Sequence, residues 1–283
     1  MVHRNLKLHY LLTGNENSKQ AVLKLSDWIT FSYEGSNSLC AKLLAIRKSG
    51  EIGLKNHLTN EYPMDRGTGH YIIALLDSFD LTRNNSYLEK AFNIIKNTVH
   101  PCDDITTRNF SNIEDTWFYT VFLQAVGRFL LTKEQLAQLD DDFYYARDSL
   151  LHYVDWMCEN EKPYLAQKDK LEFPNATWAG QDLRKVGLFY MASYYIAENS
   201  GKYRSKAEYF YQYIIDVLKD EPTSKYTRIK VLLMQNIGFV HFYRKKINHG
   251  QFEKIKQYRK PKIQNKWLVI VSLIIKEMSR LSI

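Results

Sequence analysis

Carboxylates, indoles and basic side chains recur together at four places along this chain: His3 with Arg4; Asp65, Arg66 and His70; Asn112, Glu114, Asp115, Trp117 and Tyr119; and Trp178, Gln181, Asp182, Arg184 and Lys185. Two carboxyl groups, one protonated to feed a leaving oxygen and one ionised to activate water or attack, are what glycoside hydrolysis needs. Asp65, Glu114 and Asp115 are the candidate catalytic residues, with Asp182 a further carboxylate. A lyase acting on uronates needs instead a base and cations to neutralise the substrate carboxylate. His70, Tyr119, Arg66 and Arg184 have that chemistry. Trp117 and Trp178 offer flat apolar faces for a sugar ring, and Gln181 an amide for its hydroxyls. Carboxylates outnumber histidines in these groups, which favours a hydrolase over a lyase.

Each group also has a plainer reading. Asp65 before Arg66-Gly67 reads as a helix N-cap. Asn112 with Asp115 three residues on reads as a capping-box variant. Trp178 can be core packing, and Asp182 with Arg184 an exposed helix pair. Several other chemistries fail at once: Gly67-Thr68-Gly69 lacks the third glycine and the preceding strand of a dinucleotide fingerprint, and there is no H-E-x-x-H, G-x-S-x-G or Walker lysine. No metal site and no cofactor are indicated. Cys40, Cys102 and Cys158 are an odd number without C-x-x-C spacing, which argues against a disulfide framework or a zinc knuckle.

The elements that must position these groups are helices. Leu88, Ala91, Phe92, Ile95 and Val99 fall on one helical stripe, and so do Ala207, Phe210, Tyr211, Ile214 and Leu218. Each such run follows a more broadly apolar one across a short polar break. The unit is a helical hairpin, an inner helix and then an outer one, recurring every roughly 50 to 70 residues, longer than tetratricopeptide or HEAT units. Four hairpins are distinct, and a further inner helix is predicted over 227–243. The candidate groups sit at the start of each inner helix, where orphan N–H groups and the helix dipole favour anions.

The segments HYLLTGNENSKQAVLKLSDWI from His9 and RGTGHYIIALLDSFDLTRNNSYLEKA from Arg66 resemble the (α/α) toroid domains of the six-hairpin glycosidase superfamily, which includes glycoside hydrolases and polysaccharide lyases. The resemblance runs over about residues 2–245. It implies an all-α, incomplete (α/α)6 toroid, a member shortened from six hairpins, that acts on or binds an oligosaccharide or polysaccharide. The alternative is a non-catalytic helical-repeat fragment that binds a glycan or a protein partner.

Composition limits the remaining choices. With 45% hydrophobic and 25% charged residues the chain is ordinary globular material. The longest strongly apolar run, 267–275, is too short to span a membrane. The net charge of +8 is uneven: residues 201–283 carry 18 Lys and Arg against 6 Asp and Glu. The sequence therefore divides into a hairpin body, 1–245, and a basic, poorly patterned tail, 246–283. The tail is expected to pack less well than the body, and is a weak pointer to polyanions, with no nucleic-acid partner expected. No basic-then-apolar opening is present, so the chain as written reads as cytoplasmic. An upstream segment carrying a signal would make it extracytoplasmic.

Overall fold

A computed structural model of the protein describes residues 2–35, 55–57, 59–196, 200–219, 221, 227–246, 252–253, 255–259, 271, 275 and 279. Cys40, much of the loop expected between 32 and 65, and most of the apolar run 267–275 lie outside the described residues. The described residues are all-α and contain no named strand. The α-helices are α1 (Val2–Thr13), α2 (Glu16–Glu34), α3 (Arg66–Thr82), α4 (Asn85–Lys96), the single turn α5 (Ile113–Thr116), α6 (Tyr119–Gln135), α7 (Asp141–Asn160), α8 (Thr177–Tyr195), α9 (Ser200–Lys219) and α10 (Thr227–Lys245). Two 3-10 segments, Ile105–Arg108 and Tyr164–Lys170, lie between them. No helix among the described residues is long and apolar enough to cross a membrane.

The chain forms two compact units, Met1–His100 with Arg259–Ile283, and Pro101–Tyr258. The sequence suggested one body over 1–245, because hairpin periodicity reports helix pairs and is blind to how the pairs are grouped.

In the first unit, α1 packs on α2, α3 on α4, and both α1 and α2 on α3. The two hairpin connectors are the same device. Thr13 and Thr82 each turn their hydroxyl back onto the carbonyl four residues earlier, His9 at 2.6 Å and Ser78 at 2.8 Å. The following residue is left-handed, and its N–H closes the helix: Gly14 (φ 69) on Tyr10 O, Arg83 (φ 58) on Phe79 O. The asparagine then donates its N–H to the threonine hydroxyl and uses its side chain to cap the next helix, Asn15 onto Ser18 N and Asn84 onto Ser86 N. Glycine suits the left-handed position and arginine does not. Arg83→Gly is therefore expected to raise stability by about 0.5–1 kcal/mol, less whatever the exposed guanidinium contributes over the Phe79 ring. Thermal denaturation of the two proteins would check this, and a lowered melting temperature would contradict it.

In the second unit α8 is the centre. Every residue from Ala179 to Tyr195 is buried, and α6, α7, α9 and α10 all pack against it. Gly187 permits a close approach of α10: a Cβ there would stand 2.6 Å from the Phe239 ring. The unit also buries phenols by giving their hydroxyls to carboxylates, as in Tyr119 to Glu161, Tyr153 to Asp103, Tyr203 to Asp155 and Tyr258 to Asp148. Burial and the adjacent negative charge raise the pKa of each of these tyrosines.

The part of the tail described at 252–253 and 255–258 departs from the expectation of a poorly packed segment. It has no regular secondary structure, yet Phe252 stacks on Phe143 and Tyr258 donates to Asp148. Irregular backbone fixed by a few specific contacts leaves no periodic trace in sequence.

Candidate functional site

The second unit brings Glu114, Trp117, Trp178 and Gln181 to one open cleft of about 250 Å³, whose walls also include Phe173 and Arg228. The sharp corner after the 3-10 segment Tyr164–Lys170 builds it. Asn175 accepts from Thr177 N and donates to Phe173 O, so the chain turns into α8 with Trp178 in its first turn. The Trp178 indole N–H donates to Phe173 O at 3.2 Å. Glu114, in the turn α5, accepts from Glu172 N at 2.8 Å, tying the far wall to the same loop. The two indoles meet nearly at right angles (86°) with centroids 6.3 Å apart, and Phe173 is 68% exposed beside them. Gln181 is buried, and its Oε1 has no hydrogen-bond partner. Turning that amide toward the cleft would cost no existing bond at the oxygen and would let it accept from a ligand hydroxyl.

Behind the cleft lies a buried charge network. Tyr164, whose ring touches Trp178 edge-on at 5.2 Å, donates its backbone N–H to Asp182 Oδ2 at 2.8 Å. Lys185 Nζ sits 2.6 Å from Glu161 Oε2, 3.2 Å from Asp182 Oδ1 and 3.3 Å from the Tyr164 ring centroid. Tyr119 donates to the other Glu161 oxygen at 2.6 Å. Although burial works against the Lys185 ammonium, Glu161, Tyr164 and Asp182 hold its pKa above the ordinary lysine value. Desolvation pushes the Asp182 carboxyl up to about 7 against the pull of Lys185.

That shift makes stability depend on pH in a definite sense. The unfolded chain ionises Asp182 near 3.8, the folded one near 7. Between those values unfolding releases a proton, so the stabilisation is complete below the lower pKa and is lost as pH rises through the upper one. Asp182→Asn, which keeps an oxygen for Tyr164 N–H, should flatten the fall in urea midpoint between about pH 4 and 7. An unchanged pH profile in the variant would overturn this assignment.

The other sequence candidates have these places. Asp182 and Tyr119 belong to the buried network and do not line the cleft. Asp115 is exposed and accepts from Asn112 Nδ2 at 2.7 Å, and Asn112 makes no capping bond to the backbone of α5. Arg184 is 5% exposed. Asp65, Arg66 and His70 belong to the first unit. Asp65 caps α3, accepting from Thr68 N at 2.8 Å, Arg66 is exposed, and His70 lies edge-on to His3 with ring centroids 6.4 Å apart.

Arg228, Phe173 and Glu161 are absent from the candidate set read from sequence. Arg228 could have been included, since it stands at the start of the inner helix predicted over 227–243, the position that supplied every other candidate group. Nothing local marks Glu161 as the partner of a lysine 24 residues later. Among the described residues no group of three or more His, Cys, Asp or Glu is placed to hold a metal ion. Comparison with protein-family models, with curated proteins and with solved structures gives no match.

Proposed function

We propose that the cleft binds a saccharide ring, and that the helical hairpins form an incomplete (α/α)6 toroid whose carbohydrate site this is. The observation that carries the reading is the pairing of the perpendicular Trp117 and Trp178 rings with the unsatisfied, buried Gln181 oxygen. Sugars present apolar C–H faces to aromatic rings and hydroxyl donors to amides and carboxylates, and this wall offers both. Glu114 accepts from hydroxyls on one side, and Arg228 can meet a ring oxygen or a uronate carboxyl.

Binding is favoured over hydrolysis. Of the described residues lining the cleft, Glu114 alone carries a carboxyl group, and a glycosidase needs a pair. Titration calorimetry against a panel of neutral and uronate-containing oligosaccharides tests this. Trp178→Ala and Trp117→Ala are each expected to weaken binding by about tenfold or more, and Glu114→Gln by less. Absence of binding across the panel, or binding indifferent to both indoles, would remove the proposal. Cleavage that vanishes in Glu114→Gln would instead establish an enzyme.

A further inference from the structure

Away from the cleft, α7 directs two buried charges at a stretch of the protein's own chain. Arg147 and Asp148 are 1% and 2% exposed and pair with each other at 2.7 Å. Further bonds from this pair reach across to Glu253, Lys256 and Tyr258. Arg147 Nη1 donates to Glu253 O at 2.7 Å, while Asp148 Oδ2 accepts from Lys256 N at 3.2 Å and from the Tyr258 hydroxyl at 2.8 Å. Two of these three bonds go to main-chain atoms and read no side chain.

Side chains are read separately. Phe252 enters a cage of Phe143, Tyr194 and Tyr195, with ring centroids 5.7, 5.6 and 5.1 Å away. Lys256 reaches Asp141 at 2.7 Å and lies over the Tyr144 ring. Tyr258 stands edge-on to Tyr145. Main-chain bonds for affinity with spaced pockets for side chains are the arrangement by which extended peptides are recognised. Alongside residues 255–258 is a cavity of about 560 Å³, bordered by Leu151, His152, Asp155 and Lys202. The segment is therefore held at anchor points and not sealed into a core.

We propose that the first half of α7 and the C-terminal end of α8 form a peptide-recognition groove. Residues 252–253 and 255–258 occupy it in cis, and it accepts in trans an extended peptide of the pattern Phe-x-x-x-Lys-x-Tyr. This inference is independent of the sugar cleft. The attached segment competes at its own high effective concentration, so a free peptide enters readily only when the cis contacts are weakened.

The test uses the full chain and a labelled peptide, GQFEKIKQYR, copied from residues 250–259. Fluorescence anisotropy should show saturable binding to the Phe252→Ala, Tyr258→Phe protein, and binding about tenfold weaker or worse to the unaltered chain. Lys256→Ala is a milder opening change should the double variant fail to fold. Adding Asp148→Asn to the opened chain should cost about tenfold or more in affinity. Asp141→Asn, whose side chain is 94% exposed and so tolerant of change, should cost a smaller factor. Three results would each overturn the proposal: no binding to a folded, opened chain; equal binding to the unaltered chain; or equal binding of a peptide with Phe, Lys and Tyr replaced by alanine.

Discussion

Lys185→Met is expected to destabilise the second unit by about 3–5 kcal/mol, the cost of leaving buried carboxylates without their cation. Lys185 is wholly buried and lies within 2.6 Å of Glu161 and 3.2 Å of Asp182. Methionine fills nearly the same volume, so lost packing contributes little and the charge effect dominates. The two carboxylates then have no counter-ion: Glu161 keeps only the Tyr119 hydroxyl, and Asp182 only the Tyr164 N–H. The loss should be larger at neutral pH than in acid, because removing the ammonium takes away the pull that opposes the desolvation of Asp182 and moves its carboxyl further above the unfolded value. Adding Glu161→Gln should recover part of it, since a neutral amide can still accept from Tyr119. Urea denaturation of the single and double variants at two pH values measures this. A loss below about 1 kcal/mol, or no recovery in the pair, would mean that the network is not the closed system described.

The corresponding change in the first unit is Asp77→Ala. Asp77 is fully buried in α3 and accepts from both His3 and Lys7 of α1, each at 2.9 Å. Its removal leaves a buried imidazole nitrogen and a nearly buried ammonium facing an apolar gap, at an expected cost of about 3 kcal/mol. Lys7 keeps its contact with Asp80, which is why the figure lies at the lower end. The loss should show first as detachment of α1. Amide exchange over residues 2–13 ought to accelerate more than exchange in α4, and uniform acceleration across the unit would contradict that order.

The parts of the molecule that were legible in sequence are the ones governed by local chemistry. The apolar stripe over Leu88–Val99 gave α4, and the short polar break before it gave the hairpin connector, because periodicity and turn composition act within a few residues. The indoles and Glu114 were recognised by type and by position at helix starts. Asp182, Arg184 and Lys185 were harder to place. On a helix they suggest an exposed face, yet α8 is surrounded, and the residue that makes its lysine tolerable arrives from the end of α7. Charge in a core is decided by such distant partners. Residues 252–258 were unreadable for a related reason: Arg147 and Asp148 reveal nothing of their targets until the chain returns to them.

The phenol–carboxylate pairs of the second unit have an optical consequence. Tyr119, Tyr153 and Tyr203 donate hydrogen bonds to carboxylates that would repel a phenolate, and burial adds to that, so their pKa values are raised while the helices hold. Their near-ultraviolet absorption is therefore expected to respond less to added base in the native protein than in the unfolded chain. These rings act as a built-in indicator of unfolding, with no label attached.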